Sequence, residues 1–138
     1  MIKQVHRSFY FLILGLFLVL ISPELFTDGM FMDGLYYSTI SRNMAEGIGT
    51  FWVPHFTETM LPLFFEHPPL ALGMESVFFR VLGDHLITER LYSLVMVLML
   101  AVVVVFTWRS ITEEEDKSYA WLPLLFILPL PLITWSTA

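Results

Sequence analysis

Two long stretches of the chain carry neither a charged residue nor a proline, one from Phe9 to Ile21 and one from Leu91 to Trp108. The second is long enough to cross a bilayer as a helix, which takes roughly 20 apolar residues. The first is shorter and needs Ser8 and the segment from Ser22 to Phe26 to reach that length. A third apolar run, from about Tyr119 to Trp135, contains Pro123, Pro129 and Pro131. Proline removes a backbone donor and bends a helix, so this run predicts a kinked or partly unwound span. Between the first two runs the pattern changes. Tyr36, Tyr37, Ile40 and Met44 recur at helical spacing after Asp33, and Gly47 and Gly49 mark an end, as in a short amphipathic helix lying along a membrane surface. Pro68-Pro69 open a second short helix that runs to Gly83. Its predicted apolar stripe is Leu70, Met74, Val77, Phe78, Val81 and Leu82, with Glu75, Ser76 and Arg80 elsewhere. A charge at a bilayer centre costs about 2.5–3.5 kcal/mol, so Glu75 and Arg80 speak for an interfacial or protein-covered helix rather than a further span.

The expected fold is therefore all-α, a polytopic membrane segment of about three transmembrane helices at roughly 8–26, 89–108 and 119–135. The first outer loop, about 27–88, holds the two short surface helices. The spans would form one small membrane unit. Composition agrees: 57% of the 138 residues are hydrophobic and 14% charged, against about 25% charged in soluble domains. Lys3 and Arg7 put the N-terminus in the cytoplasm and the loop outside. A cleaved signal peptide would share the basic start and short apolar core, but Ser22-Pro23-Glu24-Leu25-Phe26 offers no small-x-small cleavage site, so an uncleaved anchor is expected. The chain has no cysteine, which excludes disulfides and thiolate chemistry. A net charge of −6 argues against a nucleic-acid partner.

Four features could carry chemistry. Asp33 could act as a general base beside a membrane, or only cap the adjoining helix. Glu66 and His67, at a turn stiffened by two prolines, could hold a metal ion or a phosphate oxygen. They could equally form a solvated turn, since two adjacent ligands fall short of the three or four of most zinc sites. Arg42, Arg80 and Arg90 could clamp a phosphate, or pair locally with acids; for Arg90, beside Glu89, the local pairing is favoured. The run from Glu113 to Asp116 reads as a solvated cytoplasmic turn. Phe51, Trp52, Phe56, Phe64 and Phe65 could line a lipid or sugar site, or anchor the loop.

The ordered set Asp33-Gly34-Leu35-Tyr36-Tyr37, Ile40-Ser41-Arg42-Asn43-Met44, Glu66-His67-Pro68-Pro69-Leu70 and Glu89-Arg90-Leu91 resembles the N-terminal part of the GT-C type, polyprenol-phosphate-sugar-dependent glycosyltransferases. That group includes the protein O-mannosyltransferase-like enzymes and the aminoarabinose transferases. The resemblance covers most of residues 5 to 135. It departs where many members carry Asp-Glu and this chain has Asp33-Gly34, and members have more spans, so the chain is expected to be the front of a longer enzyme and inactive alone. The resemblance implies transfer of a sugar from a polyprenyl-phosphate donor to an acceptor lipid, glycan or protein at the extracytoplasmic face of the plasma membrane. In that reading Asp33 is catalytic, and Tyr36, Tyr37, Arg42, His67 and Arg80 contact substrate. Glu66 and His67 are placed where a divalent metal ion would be held. The rival readings are a transporter or flippase-like protein and a non-catalytic membrane subunit.

Overall fold

The computed structural model describes residues 2–26 and 32–137. Among them the chain is helical, with no strand and one isolated bridge between Gly49 and Pro54. The helices are α1 (Ile2–Leu25), α2 (Met32–Glu46), α3 (Pro69–Leu82), α4 (Leu86–Ile111), α5 (Leu122–Ile127) and α6 (Pro131–Thr137), with a 3-10 turn at Asp116–Tyr119 before α5.

Two helices are long and apolar enough to cross a membrane, through His6–Leu25 and Leu86–Ile111. The third apolar run does not make one continuous helix. It divides into α5 and α6 around Pro129 and Leu130, because Pro129 and Pro131 leave no backbone donor where a continuous helix needs one. The kinked or partly unwound helix expected from the prolines is here unwound between Ile127 and Pro131.

The chain forms two compact units. One comprises residues 1–27 and 93–138, the other 28–92. In the first, Ile13, Phe17, Ile21, Val97, Leu124 and Leu128 are buried together. At one end Trp121 stacks on Phe9 with ring centroids 4.3 Å apart and donates from Nε1 to His6 Nδ1 at 3.0 Å. The outward side chains of α1 and α4 are also apolar: Phe11, Val19, Val102 and Phe106 are all more than half exposed. A helix that is apolar on every side suits a hydrocarbon solvent.

In the second unit α2 packs on α3. α2 closes with Gly47 at φ 85° and the Ile48 amide on the Asn43 carbonyl at 2.8 Å, a left-handed cap that satisfies the last carbonyls. Asn43 then reaches sideways, donating from Nδ2 to the carbonyls of His55 (3.0 Å) and Phe56 (2.7 Å). This ties the irregular stretch 50–68 to α2. Gly49 permits the tight turn there, since at φ 77° a Cβ would lie 2.9 Å from both the Val53 oxygen and the His55 nitrogen. Gly73 does a different job on α3, where a Cβ would fall 2.5 Å from the Phe51 ring.

The expected stripe of α3 is corrected by the packing. Leu72, Glu75, Ser76 and Phe79 are its buried residues. Leu70, Val77, Val81 and Leu82 are exposed. The most hydrophobic face points outward and a mixed face carrying a carboxylate points in. Amphipathicity in water predicts the opposite.

Candidate functional site

Residues 27–31, with Asp28, lie outside the described residues. Asp33 sits in the first turn of α2, inside the helix rather than before it as a cap. Its carboxylate is exposed and favoured there by the helix dipole. One turn further, Tyr37 reaches the second motif: its hydroxyl lies 2.9 Å from His67 Nε2, and the two rings meet edge to face at 5.3 Å. Burial, then the charges of Asp33 and Glu66, push the Tyr37 hydroxyl above its ordinary range. It therefore stays protonated, and it donates to Nε2 or accepts from it according to the His67 tautomer. Residues 30 positions apart are thereby joined into one polar cluster of Asp33, Tyr37, Glu66 and His67.

His67 also tilts against Phe64, and both line a groove of about 370 Å³ with Trp52, Phe65 and Glu66. Phe64 is buried, whereas Trp52 and Phe65 stand 76% and 65% exposed, leaving aromatic faces free to stack on a ligand. Tyr36 turns elsewhere, edge-on to Phe56 at 4.8 Å. The groove and the hydroxyl of Tyr37 therefore meet at His67, while Tyr36 helps hold the loop.

The arginines divide differently from the sequence expectation. Arg42 is engaged within the protein, with Nε 2.8 Å from Asp84 Oδ1 and Nη2 donating to Glu89 Oε1 at 3.2 Å. Its guanidinium also lies 5.5 Å from the Phe79 ring centre. Arg80 donates from Nη2 to the Met44 carbonyl at 3.0 Å, near the negative end of the α2 dipole. Both guanidinium groups tie α2 to the stretch of chain from Arg80 to Glu89. Arg90 is buried.

Sequence reasoning did not single out the layer beneath the cluster. Ser41 donates to Glu75 Oε2 at 2.8 Å, and Glu75, Ser38, Ser41 and Glu89 are all buried. Desolvation pushes the Glu75 carboxyl up to about 7. The Ser41 hydrogen bond and the Arg42 charge oppose that shift, and the Glu89 charge reinforces it. The available signal was a glutamate set among Leu, Met, Val and Phe. No such glutamate is tolerated without partners.

Glu66 and His67 contribute two potential metal donors. Among the described residues no group of three or more His, Cys, Asp or Glu stands together to hold an ion. No family model, curated protein or solved structure matches this chain.

Proposed function

We propose that this chain carries the acceptor-activating part of a membrane glycosyltransferase that moves a sugar from a polyprenyl phosphate to an acceptor hydroxyl at the extracytoplasmic face. The observation that supports this reading is the contact between Tyr37 and His67. It draws the Asp33 motif and the Glu66-His67 motif into one exposed polar cluster beside an aromatic groove. Two helices able to cross a membrane in the same chain suit a lipid-anchored donor.

In the proposed reaction the acceptor oxygen attacks the anomeric carbon, its proton passes to the Asp33 carboxylate, and the bond from carbon to phosphate oxygen breaks. The prenyl phosphate leaves with the bonding electrons. A positioned carboxylate contributes typically 10²–10⁴-fold to such a step. Tyr37 and His67 act by orienting hydroxyl and phosphate oxygens, and Trp52 and Phe65 offer stacking faces to a sugar ring. A hard divalent ion commonly binds through one or two carboxylates together with substrate phosphate and water. Glu66 and His67 are the residues that would hold one here, and it would neutralise charge gathering on the leaving phosphate. Three spans, with the last broken at its prolines, belong to this proposal, as does a cytoplasmic N-terminus.

The deciding experiment measures transfer from a panel of prenyl-phosphate sugars by membranes containing the gene's full product. Asp33→Asn keeps the side-chain shape and lowers turnover by about 10²–10⁴-fold with unchanged expression. Turnover near the parent level would remove Asp33 as the base, and absence of transfer by the parent protein would favour the transporter or subunit readings. Topology is read separately. A single cysteine at Thr57 reacts with a membrane-impermeant thiol reagent in intact cells and one at Thr112 is protected; the reverse pattern overturns the orientation.

A further inference from the structure

We infer that the outward face of α3 is a lipid-binding surface, and that the unit 28–92 is seated in the bilayer interface by this helix, with α2 held above it. The inference rests on the membrane character of α4 and not on sugar transfer.

The inverted polarity of α3 is the first reason. At 100° per residue, Leu70, Met74, Val77 and Val81 fall along one line. Leu70, Val77 and Val81 are 63%, 54% and 75% exposed. Leu72, Glu75, Ser76 and Phe79 lie on the opposite side and are buried. In water this arrangement would expose large aliphatic side chains while burying a carboxylate. Against lipid it is the favourable one, since hydrocarbon accepts the valines and the carboxylate needs protein partners.

The behaviour of the two charges on α3 gives a second reason. Glu75 turns inward to Ser41. Arg80, although partly exposed, carries its guanidinium back to the Met44 carbonyl of α2. Both charged heads are directed to the α2 side, and the stripe itself holds none. A long cationic side chain that folds its head away from an apolar face is the behaviour of residues at a membrane boundary.

Continuity is the third. Only Gly83, Asp84 and His85 separate α3 from α4, whose helix is apolar enough to cross a membrane. Leu86 and Ile87 at its start are 42% and 53% exposed, extending the apolar surface of α3. The start of a spanning helix lies at the bilayer surface, and a short connection keeps α3 there. The sequence pattern put both short helices at the membrane surface, and α2 packs on the inner face of α3. Packed helices lie about 8–10 Å apart, so α2 and Asp33 would stand above the hydrocarbon, toward the headgroups. That height suits a carboxylate acting beside a lipid-linked phosphate.

The 138 residues contain no cysteine, so single nitroxide labels can be placed in this chain without removing others from it. Labels at Val77 and Val81, in lipid nanodiscs, are compared with Phe106 on α4 and with the exposed Glu46 and Glu58. Collision with oxygen partitions into lipid, and collision with a polar nickel chelate into water. The inference expects oxygen to dominate at Val77 and Val81 as at Phe106, and nickel to dominate at Glu46 and Glu58. Nickel dominance at Val77 and Val81 would overturn it. So would immobile labels shielded from both reagents, which would mean a protein cover, or spin–spin broadening lost on dilution with unlabelled protein, which would mean a second copy. Leu70 on the same stripe gives an independent reading if a valine variant fails to assemble. None of these signals depends on transfer, so loss of activity and loss of lipid contact are separate results.

Discussion

The two units distribute their apolar and polar side chains differently. In the unit built from residues 1–27 and 93–138, interior and exterior are both apolar, and what distinguishes Phe17 from Phe11 is only how closely protein atoms surround it. In the unit 28–92 the interior is mixed: Ser38, Ser41, Glu75, Ser76, Thr88, Glu89 and Arg90 are buried along with Ile40, Met44, Phe64, Leu72 and Phe79, while Leu70, Val77 and Val81 stand outside. In a hydrocarbon solvent, burial of the first kind is governed by van der Waals packing, because moving an aliphatic group from lipid to protein gains little transfer energy. In the second unit buried charges and hydroxyls must be satisfied as well, as Ser41 does for Glu75 and Arg42 for Glu89. Specific geometry for chemistry is therefore found where the polar layer is.

Breaking that layer should produce the largest effect. Arg42→Met removes the ion-pair partner of Glu89, which is almost wholly buried and keeps only Ser38 and the Arg90 charge, and it removes the partner of Asp84. Loss of one partner of a buried pair costs roughly 3–5 kcal/mol. The low end applies here because the Arg42 side chain keeps 34% of its exposure. Thermal unfolding of the variant in nanodiscs should show it, and Arg109→Met in the other unit should shift little. Equal effects at the two positions would erase the contrast.

Titrating the layer comes next. The Glu75 carboxyl is raised from 4.5 to about 7 in the folded state, so the folded protein holds a proton that the unfolded chain has released between those values. Stability is greatest below about pH 4.5 and falls as pH rises through 7. The full span is on the order of 3 kcal/mol from this group. Glu75→Gln should flatten the dependence between pH 5 and 8. An unchanged slope would mean that another group carries it.

A cavity in the apolar unit should cost less than the same cavity in water-soluble protein. Phe17→Ala loses packing contacts but little transfer energy, so its penalty should fall below the roughly 3–5 kcal/mol of soluble cores. A penalty at the top of that range would show that Phe17 is sheltered from lipid in a way the comparison does not allow.

The smallest effect is at the cluster itself. Tyr37→Phe removes one exposed hydrogen bond to His67, about 0.5–1.5 kcal/mol at most. It should leave stability nearly unchanged while lowering transfer, because His67 loses the hydroxyl that holds its ring in place. Unchanged transfer would make the contact structural only.

Much of this molecule is set by local pattern alone. Length and unbroken apolarity define the spanning stretches in α1 and α4, since a helix in lipid must satisfy its own backbone and needs about 20 apolar residues. The ends of α2 and α3 are marked by Gly47, Gly83 and the Pro68-Pro69 pair, whose backbone preferences act within a few residues. The prolines of the third run announced a disruption. Pro129 and Pro131 split that run into α5 and α6 by removing two backbone donors. Which side of α3 faces protein was not legible, because a hydrophobic stripe marks an apolar neighbour without saying whether that neighbour is core or lipid. The pairing of Tyr37 with His67, and of Arg42 with Asp84 and Glu89, joins positions 30 to 47 residues apart. Such partners are chosen by how helices dock, and no periodicity within one helix records them. The chain by itself determined where helices run and where they stop; only their packing decided which charges meet.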